Sequence, residues 1–409
     1  MELYPPAASP RLVYVGVDGH VNMMVRDQEA KRVSWNPLEL SYGAWSLQFS
    51  TEPRRYSWPT WSPDGTKLAC LRLQQDDEQE RTALVVWDLL DPRKSWEVWN
   101  GGTSVPIYVA WSPDNRHLTL VVRHSEALNL QWFDYELPGE AQSLVTGVPL
   151  FHSHSPDGKV IAIHLGGKFN GEQGRRLYRL DTRSPDRRLT LSSVPGKFGT
   201  PVWSPNGHYL AYCATEDELQ AVTLIENGRG PYQRLGSFSG QGTLTFNPEG
   251  DALFVSCTAE EEQRIYTQLL RFPVDGSPEQ CLLSTPFLGC IPLSRGRVLY
   301  FAPDGEGGAV GVYLLDAAGH NTKRMRFFPS QPQQFYLQFL HQYQSTHRLV
   351  SPDERWLVVS GYSSVWEAEN AQVRPRILQV CLEDTTEPEQ LDWGLLAFFE
   401  PPRQRLAAV

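Results

Sequence analysis

Trp61-Ser62-Pro63-Asp64-Gly65 decides the fold, because the chain keeps returning to it. It comes back as Trp111-Ser112-Pro113-Asp114-Asn115, His154-Ser155-Pro156-Asp157-Gly158, Trp203-Ser204-Pro205-Asn206-Gly207, Phe246-Asn247-Pro248-Glu249-Gly250 and Val350-Ser351-Pro352-Asp353-Glu354. From Pro63 to Pro248 the successive prolines are 50, 43, 49 and 43 residues apart. Proline presets φ, Asp caps its own backbone and Gly accepts positive φ, so each copy is a tight turn. An apolar run usually follows the turn. Strand-rich units repeating every ~40–50 residues predict an all-β chain folded as a single β-propeller.

One unit can be read strand by strand. Strand A ends at Trp61, and after the turn strand B is Lys67–Leu73. A polar loop leads to strand C, Ala83–Asp88, and a second turn leads to strand D, Ser95–Trp99. Apolar and β-branched runs bounded by turn residues support each strand. The C–loop–D pattern occurs eight times, at Val21–Trp35, in the unit just described, and at Leu128–Leu144, Leu177–Leu191, Leu219–Leu235, Ile265–Leu283, Val312–Phe328 and Ile377–Trp393. Eight four-stranded blades are therefore expected over residues 1–409, with seven the alternative if the last unit is not a true blade. Phe301-Ala302-Pro303-Asp304-Gly305 imitates the repeat turn, but only one C–D pair follows it, so it belongs to a B–C loop. The first unit lacks strand A; Leu395–Phe399 at the far end can supply it. Such pairing closes the ring and removes the exposed edges that invite aggregation. Three loop insertions stand out, at 36–56, 331–347 and 361–376.

Composition narrows the function classes. The formal net charge of −10 argues against nucleic acid as the main partner, which calls for a basic patch or stripe. No window carries the ~20 apolar residues of a membrane span. Met1-Glu2-Leu3-Tyr4-Pro5-Pro6 has no basic stretch followed by an apolar run, so no secretory signal is read. None of the six cysteines forms a Cys-x-x-Cys pair, and four lie in apolar strand segments. Reduced structural thiols and a cytoplasmic location are expected.

The Trp-Ser-Pro-Asp-Gly motifs resemble WD40-like or TolB-type (PD40) propeller repeats, and the resemblance covers nearly the whole chain. Such repeats also occur in the propeller domains of prolyl oligopeptidase and dipeptidyl peptidase IV relatives. The Gly-His…Trp-Asp pattern of ordinary WD40 repeats does not occur. In the peptidases the propeller is joined to a hydrolase domain, for which this chain has no room. Gly236-Ser237-Phe238-Ser239-Gly240 has Phe where a nucleophile elbow needs Ser. Gly166-Gly167-Lys168 and Gly305-Glu306-Gly307-Gly308 lack the spacing and ending of a phosphate loop. No catalytic residue and no cofactor is expected. The one candidate metal pair is His152 and His154, which alternate on a strand A and so share a face. The resemblance implies a use for them, since some lyase-like PD40 propellers hold a metal with channel-mouth histidines. No third ligand is identifiable, and His154 stands in a Trp slot, which points to packing. Trp61, Trp111 and Trp203 are expected to wedge between neighbouring sheets.

Sorting charge by face gives the functional expectation. Loops on one face carry Asp76, Asp77, Glu78, Glu216, Asp217, Glu218, Glu260, Glu261 and Glu262; the opposite loops carry basic residues including Arg234, Lys323 and Arg324. The insertions at 36–56 and 361–376 add Trp45, Tyr362 and Trp366 to the acidic face. Aromatic anchors ringed by charge suit a protein interface. The chain reads as a non-enzymatic interaction scaffold whose protein partner presents a basic surface, alone or within a multi-subunit complex, with no membrane role. The rival reading is a channel-mouth ligand binder or carbohydrate-active enzyme using His152 and His154.

Overall fold

The computed structural model describes residues 9–25, 30–34, 54–76, 79–91, 94–102, 104–137, 139, 141–166, 176–192, 199–216, 219–259 and 265–402. Strands dominate. Five antiparallel four-stranded sheets follow one another along the chain. The first is Arg54–Trp61, Lys67–Asp76, Gln79–Asp88 and Ser95–Gly102. The second runs from Val105 to Gly147, the third from Leu150 to Ser192, the fourth from Val202 to Phe238 and the fifth from Gly242 to Leu283. The remaining strands form one ten-stranded sheet, which begins at Gly289–Pro292 and ends, through the N-terminal strands, at Lys31–Arg32. Val298–Pro303 pairs with Val310–Leu315, so Pro303-Asp304-Gly305 lies between strands B and C, as its context requires.

The repeated turn is held by its serine. Ser62 is fully buried; its Oγ donates to Asp64 Oδ1 at 2.6 Å and accepts from Lys67 N at 2.9 Å. Gly65, at φ 67°, donates its N–H to Ser62 O. Two copies have a non-glycine residue at this left-handed position: Asn115 (φ 60°) and Glu354 (φ 56°). Both side chains reach back to the turn that precedes along the chain. Asn115 Oδ1 accepts from Asp64 N at 2.8 Å. Glu354 accepts from Ser294 N and Oγ and from Arg297 at 2.8 Å. These bonds between turns offset the backbone cost of a side chain at positive φ.

Indoles do the same work deeper in. Trp61 Nε1 donates to Phe398 O at 3.2 Å and Trp111 Nε1 to Thr60 O at 3.0 Å, each across to the neighbouring sheet. Trp203 instead packs against Gly228 of its own sheet.

The two ends of the chain meet. Leu12–Gly16 pairs antiparallel with Gly394–Phe399, with Leu12 opposite Phe399 and Val13 opposite Phe398. Beyond the last pair, Glu400 accepts from Arg11 N at 3.0 Å and Arg11 Nε at 2.7 Å, both residues being buried. The guanidinium also donates to Gly65 O at 2.6 Å and lies 5.0 Å from the Trp61 ring centre. Glu400→Gln keeps the shape but removes the charge from these bonds. It should lower the unfolding free energy by about 2 kcal/mol. Urea denaturation checks this, and an unchanged midpoint would show that the link carries no stability.

Candidate functional site

The insertion at 331–347 is not a surface loop. It folds as two helices, α1 (Gln331–Gln338) and α2 (Leu340–Tyr343). Ser330 caps α1 by accepting from Gln333 N, and Pro332 sits in its first turn. Tyr336, Leu337, Leu340 and Tyr343 are buried, because strands from several sheets pack on this segment. Tyr343 OH donates to Ile107 O at 2.7 Å, and Thr60 Oγ1 meets His347 Nε2 at 2.9 Å. Gln342 bridges two more sheets: its Nε2 donates to His152 O at 3.2 Å and its Oε1 accepts from Thr200 at 2.8 Å. Gln344 donates to Thr245, and the Tyr336 ring lies 5.7 Å from that of Phe398. Trp58 closes over the segment 4.7 Å from Tyr343; its φ of 53°, rare for a bulky residue, accompanies a bulge between Ser57 and Thr60. Between α2 and the fifth sheet lies a cavity of about 10 Å³ lined by Thr243, Ser256, Tyr266, Cys290 and His341, room for about one water.

His152 and His154 are wired into this core. Both Nε2 atoms meet the hydroxyl of Thr119, at 2.8 Å and 3.1 Å. Trp132 packs beside His154 at 5.8 Å and stacks on His117 at 4.7 Å. Burial holds the His152 pKa well below its ordinary value and that of His154 at about 4, so both rings are neutral. Neutral imidazoles sharing a threonine hydroxyl make a packing network. Among the described residues, no group of three or more His, Cys, Asp or Glu side chains is placed to share a metal ion.

The third insertion, 361–376, presents its aromatic residue on a rigid mount. Here α3 (Val365–Glu369) is capped by Ser364, which accepts from Glu367 N. Arg376 clamps the helix with two bonds to Glu367, at 2.6 Å and 3.0 Å, and its guanidinium lies 5.3 Å from the Trp393 ring centre. The hydrogen bonds from Arg376 hold the Glu367 carboxyl below the usual range. Trp366 is 65% exposed and Trp393 41%; they are the exposed tryptophans among the described residues. Tyr362 is half-buried at the end of its strand, opposite Phe328.

Of the acidic residues expected beside them, Glu216 is exposed and bonded to Arg234 at 2.7 Å, and Asp76 ends its strand opposite Gln79. Trp45, Asp77, Glu78, Asp217, Glu218, Glu260, Glu261 and Glu262 lie outside the described residues, as does most of 36–56. The sorting of charge by face needs correction. Arg234 sits within strand Tyr232–Phe238, and Lys323 and Arg324 within Asn321–Pro329, because the C–D turns are shorter than read. Lys323 bonds Asp304 of a B–C loop at 2.6 Å, so cations assigned to one face neutralise carboxylates assigned to the other.

The chain matches no protein-family model and no curated protein. Solved structures do resemble it. A prolyl endopeptidase structure is 12% identical, covering 85% of this chain and 50% of that one, with a TM-score of 0.55. A eukaryotic initiation factor is 12% identical, covering 96% of this chain and 99% of that one, with a TM-score of 0.52. The all-β fold of four-stranded sheets is compatible with a β-propeller. A putative TolB from Agrobacterium tumefaciens is 20% identical over 58% of this chain and 86% of its own, with a TM-score of 0.38. At such identities the likeness concerns the fold alone.

Proposed function

We propose that this propeller is a non-enzymatic interaction scaffold that docks a protein partner on the loop face carrying α3. The observation that carries the reading is Trp366, exposed on a helix that Arg376 and Ser364 hold rigidly. Rigid aromatic residues at a protein surface bind partners at low entropic cost, and tryptophan is enriched among energetic hot spots. The filled axis favours an outer surface over the centre as the working site, since the chain's own α1 and α2 occupy the strands' point of convergence. The finer architecture proposed is eight blades. The seventh and eighth share the ten-stranded sheet with the first, which takes Gly394–Phe399 as its strand A and so closes the ring. The proposed partner has a basic surface and belongs to a reducing compartment such as the cytoplasm, which suits free thiols at all six cysteines.

Affinity capture from the native host at low and high salt, with mass spectrometry, tests the reading. Trp366→Ala should weaken capture of a stoichiometric partner by about 2 kcal/mol. A partner that binds this variant as tightly as the parent protein would sink the assignment.

A further inference from the structure

Trp366 offers more than apolar area. Among the described residues no ring contact covers its indole, whereas Trp393 is covered by the chain's own Arg376 at 5.3 Å. A guanidinium over an indole face is thus already used once on this surface, and electron-rich indoles attract cations generally. The charges around Trp366 are unevenly satisfied. Glu367 is taken by Arg376, and Asp304 by Lys323 and Arg326. Glu369 lies three residues from Trp366 on α3, hence on the same side, and is exposed without an ion pair. Glu306 is also exposed and unpaired, on the loop whose Gly307 abuts Val365. Arg374 is the exposed cation on the same connection, which leaves two unpaired carboxylates against one cation. We propose that Trp366, with Glu369 on the same helix and Glu306 on the loop that abuts it, receives a cationic side chain, arginine or lysine, from the docking partner. The inference rests on the docking reading and adds to it a single-side-chain specificity.

Fluorescence anisotropy of the full chain with fluorescein-labelled hexa-arginine and hexa-lysine tests it, with hexa-citrulline as the neutral control. The cationic peptides should bind and citrulline should not. Trp366→Ala should weaken hexa-arginine binding about tenfold and Trp366→Phe about threefold, because Phe keeps a weaker π-face. Glu306→Gln with Glu369→Gln should weaken it and flatten its salt dependence. Absence of binding, equal binding of citrulline, or affinity unchanged by both Trp366 variants overturns the proposal. If Trp366→Ala abolishes partner capture while the glutamine pair changes nothing, docking is apolar and only the cation inference fails. If the peptides depend on Trp366 but no partner does, the cation site stands and the scaffold reading falls.

Discussion

Tyr343→Ala is expected to lower the unfolding free energy by about 4 kcal/mol. The ring is 3% exposed and packs edge-on to Tyr108 at 5.0 Å, with Trp58, Tyr336 and His347 around it. Removing it leaves a cavity where strands from several sheets meet, and it strands the Ile107 carbonyl that its hydroxyl satisfies. Tyr343→Phe isolates the hydroxyl and should cost about 1 kcal/mol. Gln338→Ala, on the exposed side of α1, should stay within about 0.5 kcal/mol of the parent. Urea denaturation of the three variants is the measurement. If Tyr343→Ala unfolds with Gln338→Ala, α1 and α2 merely sit between the sheets and do not hold them.

The insertion also shows where the sequence could be read and where it could not. The sheets were legible because turn chemistry is local: Ser62, Pro63, Asp64 and Gly65 make their turn with bonds among themselves. The pairing of Leu12–Gly16 with Gly394–Phe399 was legible because an orphan B strand needs an A strand. Burial of 331–347 was hidden by composition, since a Gln-rich stretch between strands resembles a solvated loop. Its signal was the helical spacing of Tyr336, Leu337, Leu340 and Tyr343 after a Ser-Gln-Pro start. Trp366 stood out as an aromatic residue in a long loop, whereas Arg376 read as the end of that loop and Trp393 as an ordinary strand residue. Only folding brings Arg376 between α3 and Trp393. Charge by face failed where it depended on strand ends, as at Arg234 and Lys323, because long side chains reach along a sheet.

Acid should unfold this propeller well above the pH at which carboxylates protonate. Three histidines are buried in or beside the core around α1 and α2, His152, His341 and His347, and His154 is partly buried next to His152. Burial in each case disfavours the imidazolium, holding His341 at about 4, His347 at about 3 and His152 well below 6.5. The groups facing His347 are Thr60, Thr346, Trp58, Tyr108, Tyr336, Tyr343 and Phe398, with no carboxylate among them to welcome a charge. The folded-state values lie below the unfolded value, so the unfolded chain binds more protons as pH falls through 6.5. Stability is therefore full above about 6.5 and is lost progressively down to the folded-state values. At pH 5 a histidine held near 4 in the folded chain, such as His341, costs about 2 kcal/mol, so several of them together weigh heavily against the marginal stability of a domain. The lowered carboxylates, Asp157 at about 2 and Asp64 and Asp134 below 3.8, lose their contribution only under still more acidic conditions. Urea midpoints from pH 8 to pH 5 measure the effect, and their slope near pH 5 should report uptake of about four protons on unfolding. His347→Gln should remove about one of them. A midpoint that stays flat to pH 5 would mean that the rings accept protons where they lie, and that the core around α1 and α2 is more open to water than its packing implies.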